Sequence, residues 1–156
     1  MKIIVMNRKE VLDFCKHPHL AQFAIVSIST PHEDYEEEPF CSIPNNVVGI
    51  CCVNFFDLDN TYPIKKGLMK YKDAKKIVDF VSKYKDKIII VHCDAGQSRS
   101  AGVAAALSKY YNNDDSEYFD NPHFTPNMFC YRLMMEAMRK YDLRKTMEAE
   151  EKEFKV

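Results

Sequence analysis

Residues 87–91, KIIIV, lead directly into HCDAGQS and then into RSAGVAAALSKYY, so a β-branched apolar strand passes through a short loop into an alanine-rich helix. A strand with no polar face has to be covered on both sides, which is the condition of a parallel sheet packed between helices. Residues 2–5, 23–29 and 47–56 carry the same kind of run, KIIV, FAIVSIS and VVGICCVNFF. The expectation is therefore an α/β fold with a mostly parallel sheet of four to five strands flanked by helices.

The helical signals fall between and after these runs. Asn7 is suited to cap a helix running to Cys15. Over residues 71–84, Ala74, Ile77, Val78, Val81 and Tyr84 recur at helical spacing, with charged side chains on the other face. A third helix is predicted over 98–111, and its alanines allow close approach to the sheet. Thr125-Pro126 reads as a cap followed by a first-turn proline, opening a helix to Tyr141 with Met128, Met134, Met135 and Met138 turned to the core. Residues 142–156 are highly charged and are expected to form a frayed helix or tail. Residues 30–46 and 112–124 read as long loops. No repeat or linker divides the chain, and 156 residues suit one domain.

Composition excludes several classes. With 46% apolar and 29% charged residues the chain is neither disordered nor fibrous, and a net charge of −1 gives no general footprint for nucleic acid. The lysines at 65, 66, 70, 72, 75 and 76 read as a solvated face. No run reaches the length of a membrane span, and the first residues lack the flanks of a signal peptide, so a cytoplasmic location is expected. The six cysteines show no CxxC spacing, which argues against a zinc site and against a disulfide framework. Most of them read as small buried hydrophobes. His17, His19, His32 and His123 form no ligand spacing and read as surface residues. No metal or cofactor is expected.

Cys93 stands apart. A loop entering a helix offers unpaired N–H groups and the positive end of the helix dipole, a cradle for a phosphate dianion. At the end of the strand, the Cys93 sulfur would point into that cradle, where the N–H groups and Arg99 favour a nucleophilic thiolate. Arg99 can offer two parallel donors to phosphate oxygens, a geometry that lysine cannot supply. Gly96 is read as the place where the backbone turns in without a Cβ obstructing the ligand.

His92-Cys93, the five residues DAGQS, Arg99 and Ser100 resemble the signature of the protein tyrosine phosphatase superfamily, and HCDAGQSRSAGVAAAL is similar to its compact dual-specificity branch with bacterial and viral relatives. The resemblance implies that Cys93 becomes a phosphocysteine. It implies that Asp94, Ala95, Gly96, Gln97, Ser98 and Arg99 bind phosphate, that Ser100 hydrogen-bonds the sulfur, and that His92 supports the loop from behind. It also implies an acid for the leaving group, which FFDLDN supplies as Asp57, because an aromatic-rich strand ends there, or as Asp59 in second place.

The substrate implied is a phosphorylated protein, phosphotyrosine first and phosphoserine or phosphothreonine with it. Relatives acting on RNA 5′-triphosphates or inositol phospholipids are an alternative. Those with lipid substrates tend to carry lysines in the loop, which this chain lacks, and Asp94 would repel a polyanion if it faced the pocket. A domain that binds phosphopeptides without turning them over is the third reading.

Overall fold

The computed structural model describes residues 1–35, 46–58 and 66–155. Strands β1 (Ile3–Met6), β2 (Phe23–Ser29), β3 (Val47–Asn54) and β4 (Ile88–His92) form one sheet in the order β1-β4-β2-β3. All three pairings are parallel, with Ile25 opposite both Ile50 and Ile90. The helices are α1 (Arg8–Cys15), α2 (Tyr71–Lys83), α3 (Arg99–Asn112), α4 (Ser116–Asp120) and α5 (Met128–Phe154). The expected α/β class is what the chain adopts, with four strands among the described residues.

Alternation along β2 divides the core in two. Ala24, Val26 and Ile28 pack with buried residues of α2, α3 and α5, while Phe23 and Ile25 pack with Ile90 and with Val11 of α1. Both faces of the sheet are thus covered, which is why its central strands could be mostly apolar. The inner helix is α3, buried at every position from Arg99 to Ser108. Small side chains permit this, and Gly102 requires it: a Cβ there would lie 2.5 Å from the carbonyl oxygen of Asn127.

Helix α1 starts as its sequence predicts, in a capping box where Asn7 Oδ1 accepts from Glu10 N at 2.7 Å and Asn7 N donates to Glu10 Oε1 at 3.2 Å. Helix α5 starts later than expected. Asn127, not Thr125, is its cap, accepting from Cys130 N at 3.0 Å. Thr125 N and Asn127 N instead donate to Gln97 O and Ser98 O, which draws this segment along the loop before α3. The charged stretch after Tyr141 continues the same helix to Phe154. Tyr110 donates to Asp142, and Arg144 pairs with Asp79 of α2 at 3.1 Å, so its near end is tied to two other helices. The stretch read as a loop over 112–124 contains the short helix α4. His19 is half-buried, stacked on Phe14 with centroids 3.7 Å apart. No helix among the described residues is long and apolar enough to cross a membrane.

Candidate active site

The loop between β4 and α3 is shaped from outside. Asp94 O accepts from Arg8 N at 3.2 Å, Gln97 O from Thr125 N at 2.9 Å, and Ser98 O from Gly102 N at 2.8 Å and Asn127 N at 3.0 Å. These bonds engage carbonyls of the loop and leave most of its amides unused. None of the N–H groups of Asp94, Ala95, Gln97, Ser98 and Arg99 meets a protein acceptor among the described residues. N–H groups left without a protein acceptor at a helix start offer a site for an anion.

Gly96 has a different reason from the one expected. It sits at φ +66°, a left-handed conformation, and a Cβ there would lie 2.6 Å from Asn7 N. The missing side chain makes room for the turn between β1 and α1 rather than for a ligand.

Cys93, 2% exposed, lies at the base of the loop. Its sulfur accepts from Gly96 N at 3.3 Å and lies 3.0 Å from Ser100 Oγ. Burial pushes the thiols of Cys15, Cys51 and Cys130 up, Cys51 to about 11, which keeps them protonated and unreactive. Cys52 is exposed rather than buried, and Cys41 lies outside the described residues.

Arg99 is 5% exposed, and its guanidinium is held along one side. Nη1 donates to Phe55 O at 2.7 Å and Ser29 O at 3.4 Å, and Nη2 donates to Asp94 Oδ2 at 3.3 Å. Nε is buried and has no partner among the described residues. A guanidinium N–H left so in the interior marks a place where an acceptor belongs.

His92 is fully buried, with Nε2 2.6 Å from Ser27 Oγ and Nδ1 3.4 Å from Cys93 O. Burial first, then the charge of Arg8, lower its pKa to about 4, so the imidazole is neutral at pH 7. Its two ring nitrogens join β2 and the start of the loop through Ser27 and Cys93 O.

Asp57 stands at the exposed rim. Its Oδ1 accepts from Ser98 Oγ at 2.8 Å and Asn127 Nδ2 at 2.9 Å, and Asn127 Nδ2 also reaches Leu58 O at 3.1 Å. Both bonds go to one oxygen, which leaves Oδ2 for a proton. Asp57, Leu58, Ser98, Asn127 and Met128 are among the residues around a recess of about 300 Å³. Asp59, the second candidate, lies outside the described residues.

Asp94 does not face the pocket as a free charge. Burial alone would raise its pKa, but hydrogen bonds from Thr30, Arg8 and Tyr35 and the charge of Arg99 hold it below the usual carboxylate range. Arg8, Thr30, Tyr35 and Asn127 were not singled out from sequence as site residues. Asn127, directly after Pro126, was the one with a readable signal, as a capping residue at a helix start. Among the described residues, no group of three or more His, Cys, Asp and Glu could hold a metal ion.

No protein-family model matches this chain, and no curated protein sequence matches it. Solved structures do resemble it. A crystal structure of PTPMT1 superimposes with a TM-score of 0.55 at 19% identity, covering 94% of this chain and 95% of that one. A crystal structure of PTPMT1 in complex with PI(5)P gives a TM-score of 0.49 at 19% identity, covering 92% and 94%. One of Tk-PTP in the active form gives 0.44 at 15% identity, covering 91% and 90%. The first of these likenesses establishes the fold, which this chain shares with PTPMT1 over nearly the full length of both chains.

Proposed function

We propose that this chain is a cysteine-dependent phosphatase that hydrolyses phosphate monoesters on proteins, phosphotyrosine first and phosphoserine or phosphothreonine with it. The observation that carries the reading is the Cys93 sulfur, 3.3 Å from Gly96 N and 3.0 Å from Ser100 Oγ, in a loop whose other amides have no protein acceptor among the described residues and which a buried arginine with an unused N–H closes. Such a cradle binds a tetrahedral dianion and sets a nucleophile against its phosphorus.

The steps follow from these positions. Phosphate oxygens take the N–H groups of Asp94, Ala95, Gln97, Ser98 and Arg99 and the free Nε of Arg99. The sulfur lone pair of Cys93 forms the S–P bond as the P–O ester bond breaks, and Asp57 passes its proton to the departing oxygen. Water then attacks phosphorus and loses its proton to Asp57, and the S–P bonding pair returns to sulfur. Ser100 Oγ donates to that sulfur and eases its departure. Arg99 and the amides stabilise the charge that builds on the equatorial oxygens in both steps. No metal is required. An intracellular, reducing compartment suits the free thiol.

Two other readings separate by experiment. Among alternative substrates, RNA 5′-triphosphates and inositol phospholipids are disfavoured by a loop without lysine. The repulsion expected of Asp94 is weak support, because Arg8 and Arg99 already neutralise it. In PTPMT1 the bound lipid is PI(5)P, so phosphoinositides belong in the assay. A binding domain without turnover is disfavoured by the intact set of Cys93, Arg99 and Ser100. The test is phosphate release from p-nitrophenyl phosphate in the presence of a chelator, with Cys93→Ser alongside, followed by phosphotyrosine peptide, triphosphorylated RNA and phosphoinositides side by side. Turnover that Cys93→Ser abolishes is expected, with the phosphotyrosine peptide preferred. Turnover that survives the substitution or needs a divalent ion contradicts the mechanism, and preference for RNA or lipid contradicts the substrate.

A further inference from the structure

An acid inside a loop built for an anion needs a reason, and the contacts of Asp94 supply one. Its carboxylate accepts from Thr30 Oγ1 at 2.6 Å, from Arg8 Nε at 3.0 Å, from Tyr35 OH at 3.0 and 3.1 Å, and from Arg99 Nη2 at 3.3 Å. An ionised carboxylate has about four lone-pair sites, so these donors occupy it fully.

The donors are themselves held. Arg8 Nη2 donates to Ser29 Oγ at 3.0 Å, and its guanidinium carbon lies 3.5 Å from the centroid of the Tyr35 ring. Tyr35 OH accepts from Thr30 N at 2.8 Å. The start of α1, the segment after β2 and the loop before α3 therefore meet at one carboxylate.

Arg99 shows what the meeting achieves. Carbonyls of Phe55 and Ser29 hold Nη1 alone, which leaves the guanidinium free to swing about that atom. The bond from Nη2 to Asp94 fixes a second nitrogen and with it the plane. We propose that Asp94 is a positioning residue for Arg99, clamped by Arg8, Thr30 and Tyr35, which aims Nε and the remaining Nη2 proton at a bound phosphate. Placing a negative charge near an anion weakens the anion's attraction, so the clamp and the bare charge act in opposite directions on phosphate affinity. That opposition makes the inference testable.

It rests on the phosphatase reading, and the experiment keeps the two apart. Binding of inorganic phosphate to wild type, Asp94→Ala and Tyr35→Phe is measured by calorimetry, beside turnover of p-nitrophenyl phosphate and thermal unfolding. For Asp94→Ala we expect phosphate affinity to fall about tenfold, from loss of a bidentate geometry, and kcat/KM to fall on the order of 10²-fold through misplacement. Tyr35→Phe removes a single oxygen and should weaken phosphate binding about threefold. Phosphate bound by Asp94→Ala as tightly as by wild type, or more tightly, overturns the clamp. Should Asp94→Ala not fold, unchanged phosphate affinity in Tyr35→Phe overturns it. A wild-type protein that binds phosphate without Cys93-dependent turnover sinks the phosphatase reading and leaves the comparison of affinities to decide the clamp.

Discussion

The loop around Cys93 and the rim around Asp57 are built by different means. In the loop, backbone carbonyls are bonded to two other segments, at Arg8 and at Thr125 and Asn127, and the side chains of Cys93, Arg99 and Ser100 are buried. At the rim, an exposed carboxylate rests on two side-chain donors, Ser98 and Asn127, that share one oxygen. On the proposed reading, phosphate binding is set by the main chain, whereas proton transfer depends on side chains that can be removed one at a time without dismantling the loop.

Breaking the loop should have the largest effect. Arg99→Lys keeps the charge but loses the planar fork, and kcat should fall on the order of 10²–10³-fold, the range for removing one donor to a developing oxyanion. Phosphate inhibition should weaken with it. Breaking the rim should separate the two functions. Asp57→Asn should slow an alkyl phosphate with a poor leaving group about 10²–10⁴-fold while leaving inhibition by inorganic phosphate unchanged. Equal loss of phosphate binding would show that Asp57 belongs to the cradle, and no loss of turnover would move the acid to Asp59.

Asn127→Ala sharpens the comparison because the residue serves both regions. It caps α5 and holds Asp57, so thermal unfolding should report a loss of about 0.5–2 kcal/mol from the cap. Turnover of the same alkyl phosphate should fall several-fold through the lost hydrogen bond of roughly 1 kcal/mol, and phosphate affinity should stay. A separate effect, on stability and not on turnover, concerns pH. His92 has a folded pKa of about 4 against an ordinary 6.5, so its contribution to stability is complete above 6.5 and is lost as pH falls toward 4. The folded state should lose stability over that window, and an uncharged polar replacement at His92 should flatten the decline even if it starts lower. A wild-type stability independent of pH there would mean that His92 is not buried as described.

The same contrast explains how much could be read in advance. The strand-loop-helix unit around Cys93 is local: its apolar run, glycine, arginine and alanines are contiguous, and the Asn7 cap is local too. Fold class and the core of the site followed from them. What escaped notice is non-local. Arg8 and Asp94 are separated by 86 positions and Asn127 and Asp57 by 70, and no periodicity links such pairs. The start of α5 was misplaced because Thr125 and Asn127 bond the loop before the helix begins. Its full length is hard to read because the stretch after Asp142 is mostly charged and its few apolar residues, Leu143, Met147 and Phe154, stay exposed, and it is helped by pairs such as Lys145 with Glu148 and by the tie from Arg144 to Asp79. The role of Gly96 was misread for the same reason, since the backbone it clears belongs to Met6 and Asn7.

The central claim is that Cys93 forms a bond to phosphorus. It is tested most directly by mixing the protein with an aryl phosphate, quenching in acid within the first turnovers, and mapping phosphate on the digested chain by mass spectrometry. The account predicts a phosphate adduct on the peptide holding Cys93, absent in Cys93→Ser and longer-lived in Asp57→Asn. Steady phosphate release with no adduct on Cys93 under any quench, or an adduct on another residue, would contradict it.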